Sequence, residues 1–506
     1  MNATARIALL MAAAVSALSA PAAAVTPARA GLQAMRELNL IVLNDLNVQG
    51  GEVEGKAFVG RNVTGNSTQI GIGSSANGQR FTASSRATLS VGGSVSQNLN
   101  INNGNNGTGG PKVGDFGSQN VYGVAIQGNI PGINFNSTGG TARIGGDVTN
   151  NLNVGTGTTL EVTGSLQNGV NLSDNVKLKV GGSVNGNING GQNTQVEVRG
   201  NVGNLGFGGG GKATIGGNLQ QLSGSSNQQI SVAGSIGSGN AGGNSTIKAG
   251  GSISNFNGTS GVTVYAGGSI SGNANGASFN SGYSFNPLVP APVVPAAPAA
   301  PAITTEAAVL SANVMALSTA LASLTVTSNP SSISITGGNQ TATFNAVASN
   351  IGPSNPTGFA LFEINSASFF SVQQFSYNFP DTTLPVIINV RNIGSNHLTI
   401  ASNFINNART YNAQVIWNFV DATNITIDRQ FQGSILAPLA NIQAKVVEGS
   451  VVAKNYTMQD EVHLGTYQSN GFFVAEPVPE PSAWAMLIAG FGLVGAMARR
   501  RRPLAA

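Results

Sequence analysis

Between residues 124 and 270 apolar side chains recur around a series of regularly placed glycines: Gly128, Gly146, Gly164, Gly182, Gly200, Gly217, Gly234, Gly251 and Gly268. Four positions before them stand Val124, Ala142, Leu160, Leu178, Val196, Ala213, Ile230, Ile247 and Val264, and two positions before them Ile126, Ile144, Val162, Val180, Val198, Ile215, Val232, Ala249 and Ala266. Two positions after them comes a third column, Ile130, Val148, Leu166, Val184, Val202, Leu219, Ile236, Ile253 and Ile270. Alternation with period two is the pattern of a strand that buries one face. Its recurrence every 18 and then every 17 residues predicts a β-solenoid, expected as a right-handed β-helix, with one repeat per rung and counterpart side chains stacked about 4.8 Å apart.

The change of period tests the register. After Val148, Leu166 and Val184 the next inward candidates, Leu152, Val170 and Ile188, lie four residues on; after Val202, Leu219 and Ile253 they are Leu205, Leu222 and Phe256, three on. A slip inside a strand would turn its core face outward, so the omitted residue belongs in a corner. Gly239 and Asn273 are expected to break this weaker column. The recurrent glycine is expected at a tight corner, where absence of a side chain and tolerance of positive φ are useful. The residue after it (Asn129, Asp147, Ser165, Ser183 and their successors) forms a polar column able to hydrogen-bond along the stack. Arg143, Glu161, Lys179 and Glu197 fall in one outward column of alternating sign, read as a solvated ladder.

The flanks differ. Regular rungs are placed at 120–281, a Pro/Ala-rich extended connector at 287–304, and a helix at 306–324, with Thr305 as its cap and Leu310, Val314, Leu317, Leu321 and Leu324 as its apolar stripe. Further strands follow at 325–473. "VEGKAFVGRNV" near the start and "VEGSVVAKNY" and "FQGSILAPLANI" near the end read as rungs of one domain, placed at 38–473. Residues 1–24 order a base, an apolar run and small residues as a secretory signal does. At the other end Pro479-Glu480-Pro481 precedes an apolar segment, 483–498, and four arginines, the order of a short transmembrane helix kept in place by its cytoplasmic charge.

Composition narrows the function. The net charge of +4 comes from the two ends, since setting aside Arg6, Arg499 to Arg502 and Glu480 leaves equal numbers of bases and acids. Nothing in the body therefore calls for nucleic acid. The chain has no Cys and only 2 His. Glu461 and His463, two apart on one strand, are a start for a metal site without an evident third ligand, and Asp45, Glu52 and Glu54 lack the spacing of a calcium loop. We expect no catalytic residue, metal or cofactor; a polysaccharide-cleaving solenoid would need carboxylates clustered on adjacent rungs, where this chain carries mainly Asn, Ser and Gly.

The segment 478–502 resembles the PEP-CTERM sorting signal of Gram-negative bacteria. That resemblance implies a signal peptidase and an exosortase-type enzyme as processing partners, transient anchoring in the inner membrane, and release to the cell surface or extracellular matrix, with Pro479, Glu480 and Pro481 as sorting residues. The motifs NLIVLNDLNVQGGEVEGKAFVGRNV, VIWNFVDATNITI, FQGSILAPLANI, VEGSVVAKNY and EVHLGTY resemble the choice-of-anchor A family, an adhesin-like domain, with the long run from Gly128 to Gly268 as the departure. The reading is an exported, non-enzymatic, adhesin-like surface protein associated with exopolysaccharide. The alternatives are an ice-binding β-solenoid, which "VIWNF" and "GSILA" resemble although no outward column is Thr throughout, a polysaccharide-active β-helix enzyme, and a self-polymerising rod as in bactofilins.

Overall fold

A computed structural model describes residues 26–72, 84–101, 123–135, 139–326, 330–338, 340–349 and 358–469. Its strands form sheets of 22, 15 and 4 members, and the rung-to-rung pairing is parallel throughout the first two. The chain is mainly β and folds as a β-solenoid. One rung shows the construction. Thr159–Val162 lies on the first face, a glycine corner leads to Leu166 on the second, and Val170–Leu172 forms the third. Leu160, Val162, Leu166, Val170 and Leu172 are all buried. Val162, Val180 and Val198 are direct partners on successive strands, so the 18-residue period is the rung itself. Where 18-residue rungs give way to 17, the register shift lies between Val184 and Asn187, at the corner between second and third faces. Ile188 still pairs Leu205, and Leu205 pairs Leu222, inside. Gly239 does leave a gap in that column, which the Phe256 ring occupies. Asn273 lies beside it rather than in it, since the partner of Phe256 is Ala274, which is exposed and ends the buried column.

The recurrent glycines are set by crowding alone. None of them adopts left-handed φ. A Cβ on Gly182 would stand 2.1 Å from Ser165 Oγ and one on Gly146 2.1 Å from Asn129 Oδ1. These side chains are the polar staircase. Asn129 Oδ1 accepts from Asp147 N at 2.8 Å, Asp147 Oδ1 from Ser165 N at 2.7 Å and Ser165 Oγ from Ser183 N at 3.1 Å, and the sequence runs on to Ser269. The left-handed position is a different corner, one per rung: Gly157, Asn175, Asn193, Gly210, Asn227, Asn244 and Gly261. Glycine and asparagine alternate there because only they enter that region at low cost.

The chain does not run from one end of the stack to the other. Leu40–Val42 pairs with Ala57–Val59 on one side and with Val451–Ala453 on the other. The first rung therefore sits inside the stack, against the last. Asn39, fully buried at this seam, donates to the carbonyls of Gly449 and His463 (both 2.9 Å) and accepts from Gly55 N at 3.0 Å. The far wing, built from residues 360–458, is filled by aromatic rings around Trp417, whose Nε1 donates to Tyr377 Oη at 2.9 Å.

Two helices lie over the seam and this wing. α1 (Pro27–Glu37) opens with Thr26 accepting from Arg29 N and with Pro27 in the first turn. α2 (Ile303–Ala322) starts earlier and ends earlier than the stripe suggests; Thr305 lies within it, and Ala302 precedes it without a side-chain cap. Burial of Ile303 against the sheet draws the first turn back, and Glu306 in that turn bonds Arg86 at 2.8 Å. Leu324 lies beyond the last turn. Under the helices the outward strand positions are apolar and buried: Leu436, Val452, Ile41 and Phe58. The same column continues, rung by rung, through Ser90 and Ala125 to Arg143, Glu161 and Lys179. Helix cover thus gives way to surface charge along one line of side chains.

The connector is a strap on the first face. Lys248 Nζ donates to Pro290 O and Thr163 Oγ1 to Pro298 O. Eight residues cross five rungs, about 24 Å, so each advances about 3 Å, the rise of polyproline II. Val294 and Ala297 sit against Gly216 and Gly181, where a Cβ would collide with them.

Candidate functional site

The third face carries the densest chemistry. Its inward residues, such as Leu152, Val170 and Ile188, are buried, and period two turns their neighbours to solvent. One outward column reads Asn100, Asn134, Asn153, Asn171 and Asn189 on successive rungs. Each amide donates to the one before it: Asn134 Nδ2 to Asn100 Oδ1 at 2.8 Å, Asn153 to Asn134 at 2.7 Å, Asn171 to Asn153 at 2.9 Å and Asn189 to Asn171 at 3.0 Å. A second column begins two residues earlier with Asn187, Asn204, Gln221, Ser238 and Asn255, and Asn204 Nδ2 donates to Asn187 Oδ1 at 2.7 Å. Beside the first column lies a groove of about 500 Å³ lined by Asn98, Asn134, Asn150, Asn151, Asn153 and Asn168. This surface offers many neutral donors and acceptors at rung spacing.

At the seam the same face becomes ionic. Successive strands place Glu448, His463 and Glu54 side by side, with Glu461 and Glu52 two residues back. His463 Nδ1 bonds Glu448 Oε1 at 2.8 Å and Nε2 bonds Glu461 Oε2 at 2.5 Å. Its pKa is pushed up to about 9, chiefly by the hydrogen bond to Glu448, with burial opposing and Glu461 assisting. Glu448 is fully buried and is also held by Gln430 Nε2 at 2.5 Å and Arg409 Nη2 at 3.0 Å. Burial raises the carboxyls of Glu52 and Glu54, and Glu54 Oε2 accepts from Leu464 N at 2.6 Å.

The sequence candidates lie within these contacts. Both ring nitrogens of His463 are committed to carboxylates, so the imidazolium has no lone pair for a metal. Among the described residues no group of three His, Asp or Glu is placed to hold a metal ion. Asp45 belongs to the polar staircase: its carboxylate accepts from Asn62 N and Nδ2, both at 3.1 Å, and it stands apart from Glu52 and Glu54. The outward charges pair as Arg143–Glu161 at 3.0 Å and, loosely, Lys179–Glu197 at 4.0 Å. The buried Glu448 escaped the sequence reading. Its signal was the repeated Val-Glu-Gly at 53–55 and 447–449, whose two glutamates flank His463. Pro479, Glu480 and Pro481, the 1–24 signal and the 483–498 helix lie outside the described residues.

A profile of the ice-binding-like adhesive domain matches residues 31–121 and 206–464, more than half of the chain. The chain belongs to the ice-binding-like adhesive domain family. A PEP-CTERM protein-sorting profile matches 477–502, which includes Pro479 to Pro481. The adhesive family and the sorting motif together support an exported protein of the cell surface or exterior, and the motif implies an exosortase-type processing enzyme. Between its two matched stretches the adhesive-domain profile passes over 122–205, so the departure from the family is narrower than the whole regular run. Among solved structures, the chain is similar to an ice-binding protein from an Antarctic Flavobacteriaceae bacterium (12% identity, 85% of this chain, 97% of that one, TM-score 0.18). It is also similar to the tapirin C-terminal domain of Caldicellulosiruptor kristjanssonii (11% identity, 86% and 92%, TM-score 0.19). No curated protein matches.

Proposed function

We propose that this protein is a non-enzymatic adhesin of choice-of-anchor A type, whose third face holds it to exopolysaccharide at the bacterial surface. Residues 1–24 direct its export, the 483–498 helix holds it for a time in the inner membrane, and cleavage near Pro479-Glu480-Pro481 releases it. The solenoid domain occupies 38–473. The observation that carries the reading is the amide surface: exposed asparagines at rung spacing suit a hydroxylated polymer met at many weak points. Expression with and without 478–502, followed by cell fractionation and glycan-array binding, tests both halves. The tailed chain should reach the surface and bind polysaccharide, and the tail-less chain should change compartment. Absence of glycan binding by the purified chain would refute the adhesive half.

Ice binding is the second reading, favoured by the flat repetition of one side chain along Asn134, Asn153, Asn171 and Asn189. A thermal-hysteresis measurement separates it from the first.

A further inference from the structure

We infer that the rungs which the adhesive-domain profile leaves unmatched, within 122–205, carry a track for a single uncharged, hydroxyl-rich polysaccharide chain laid along the solenoid axis. This rests on the adhesive reading above and gives it a ligand class and a location. Four of the five asparagines in the unbroken ladder, Asn134, Asn153, Asn171 and Asn189, stand in that segment. Beyond it Gly206 and Ser223 interrupt the column, and the later amide contact, Asn275 to Asn257, is long at 3.4 Å.

The ladder's valence sets the ligand. A side-chain amide has two donors and two lone pairs. An interior member spends one N–H on the rung before and one lone pair on the rung after. One donor and one acceptor per rung remain, recurring about every 4.8 Å along the axis. Hydroxyl groups, which both donate and accept, match that alternation. A charged chain gains nothing here. Among the described residues the adjoining groove is lined by asparagine, Arg143 and Glu161 pair with each other on the first face, and Asp147 and Asp174 are occupied by Ser165 N and Gln192 N. Phe135 and Phe207 are buried, so ring stacking does not contribute, and affinity must accumulate over several rungs. The ligand is therefore a chain rather than a single sugar.

The test uses the full chain in mild detergent, with neutral β-linked gluco-oligosaccharides of increasing length and an anionic uronate polymer as probes. A ladder variant, N134A/N153A/N171A/N189A, is compared with Q221A/N240A/N255A/N257A on the matched rungs. All eight side chains are outward, and thermal melting confirms that both variants fold. We expect affinity for the neutral chains to rise with length and to fall at least tenfold in the ladder variant, with less than a threefold change in the other. Equal losses in both variants, no loss in the ladder variant, or preference for the anionic polymer would overturn the inference while leaving adhesion standing. Failure of the unmodified chain to bind either polymer would instead defeat the adhesive reading.

Discussion

Raising the pH should loosen the seam between the first and last rungs, and His463 should be the cause. The ring is held between Glu448 and Glu461 and its pKa is raised from 6.5 to about 9. A group whose pKa rises on folding lends stability that is complete below its unfolded value and disappears as pH climbs through the folded one. The window is therefore about 6.5 to 9. The full shift corresponds to about 3 kcal/mol. The rim of the cluster is open to water, Glu461 being 39% exposed, and screening reduces the expected effect to about 1 to 2 kcal/mol. Burial of Glu52 and Glu54, which raises their carboxyls, acts in the same sense from lower pH. Amide hydrogen exchange of Leu40–Val42 and Val451–Ala453, corrected for intrinsic rate, should show local opening becoming easier by that amount between pH 6.5 and 9.5. The His463→Gln variant should lack this slope. An identical slope in the variant would refute the assignment.

Five further outcomes follow from the contacts. Glu448→Ala would leave His463 and Arg409 facing a buried void without their carboxylate and should cost about 3 to 5 kcal/mol, read by urea denaturation. Gly182→Ala, whose Cβ would meet Ser165 Oγ at 2.1 Å and Gly164 O at 2.9 Å, should lower the melting temperature. Gly139→Ala, whose Cβ would meet no described atom within 4 Å but which sits at a φ of +77°, should cost only about 1 kcal/mol. Asn175, at φ +60°, should accept Gly almost without loss and lose about 1 to 2 kcal/mol as Ala, as measured by thermal unfolding. Gly31→Ala, whose Cβ would sit 2.4 Å from Asn313 O, should part α1 from α2 and raise protease cleavage between the helices while the far rungs stay protected.

The inward columns were legible because each uses a narrow alphabet. Val162, Val180 and Val198 repeat one letter at one spacing, and no helix puts such residues on one side. The left-handed corner was not legible because two chemically different residues satisfy one backbone demand: Gly157 and Asn175 occupy the same corner but share no letter. The asparagine ladder was visible only as general polarity, because an outward Asn looks the same in sequence whether it bonds the next rung or water. Glu448 was hidden for the opposite reason. An acid in a strand reads as solvent-facing, and only the fold shows that the strand's outward side there lies beneath Arg409 and Gln430. The helix was found by its stripe, but Thr305 misled because a capping residue is favoured only where the chain enters the helix, and burial of Ile303 moved that point upstream.

The seam also bears on how the rod is presented. Tyr467, near the last described residue, is buried in the same cluster as Leu32 and Met35 of α1, and Leu40 immediately after α1 pairs with Val451. The chain thus enters and leaves the solenoid at one place within the stack, where the helices cover the sheet. With the sorting tail following from that place, as proposed, a tether would grip the rod between its ends. The Asn100 to Asn189 ladder lies wholly on one arm, beginning two rungs from Leu40 and ending four rungs later. Added rungs in that arm move the track's far end outward by about 4.8 Å each without disturbing the seam, the helices or the aromatic wing. Lengthening there changes reach and binding length together, whereas an insertion in the 360–458 wing would have to rebuild the packing around Trp417. That asymmetry gives a physical reason for the unmatched rungs to lie within 122–205.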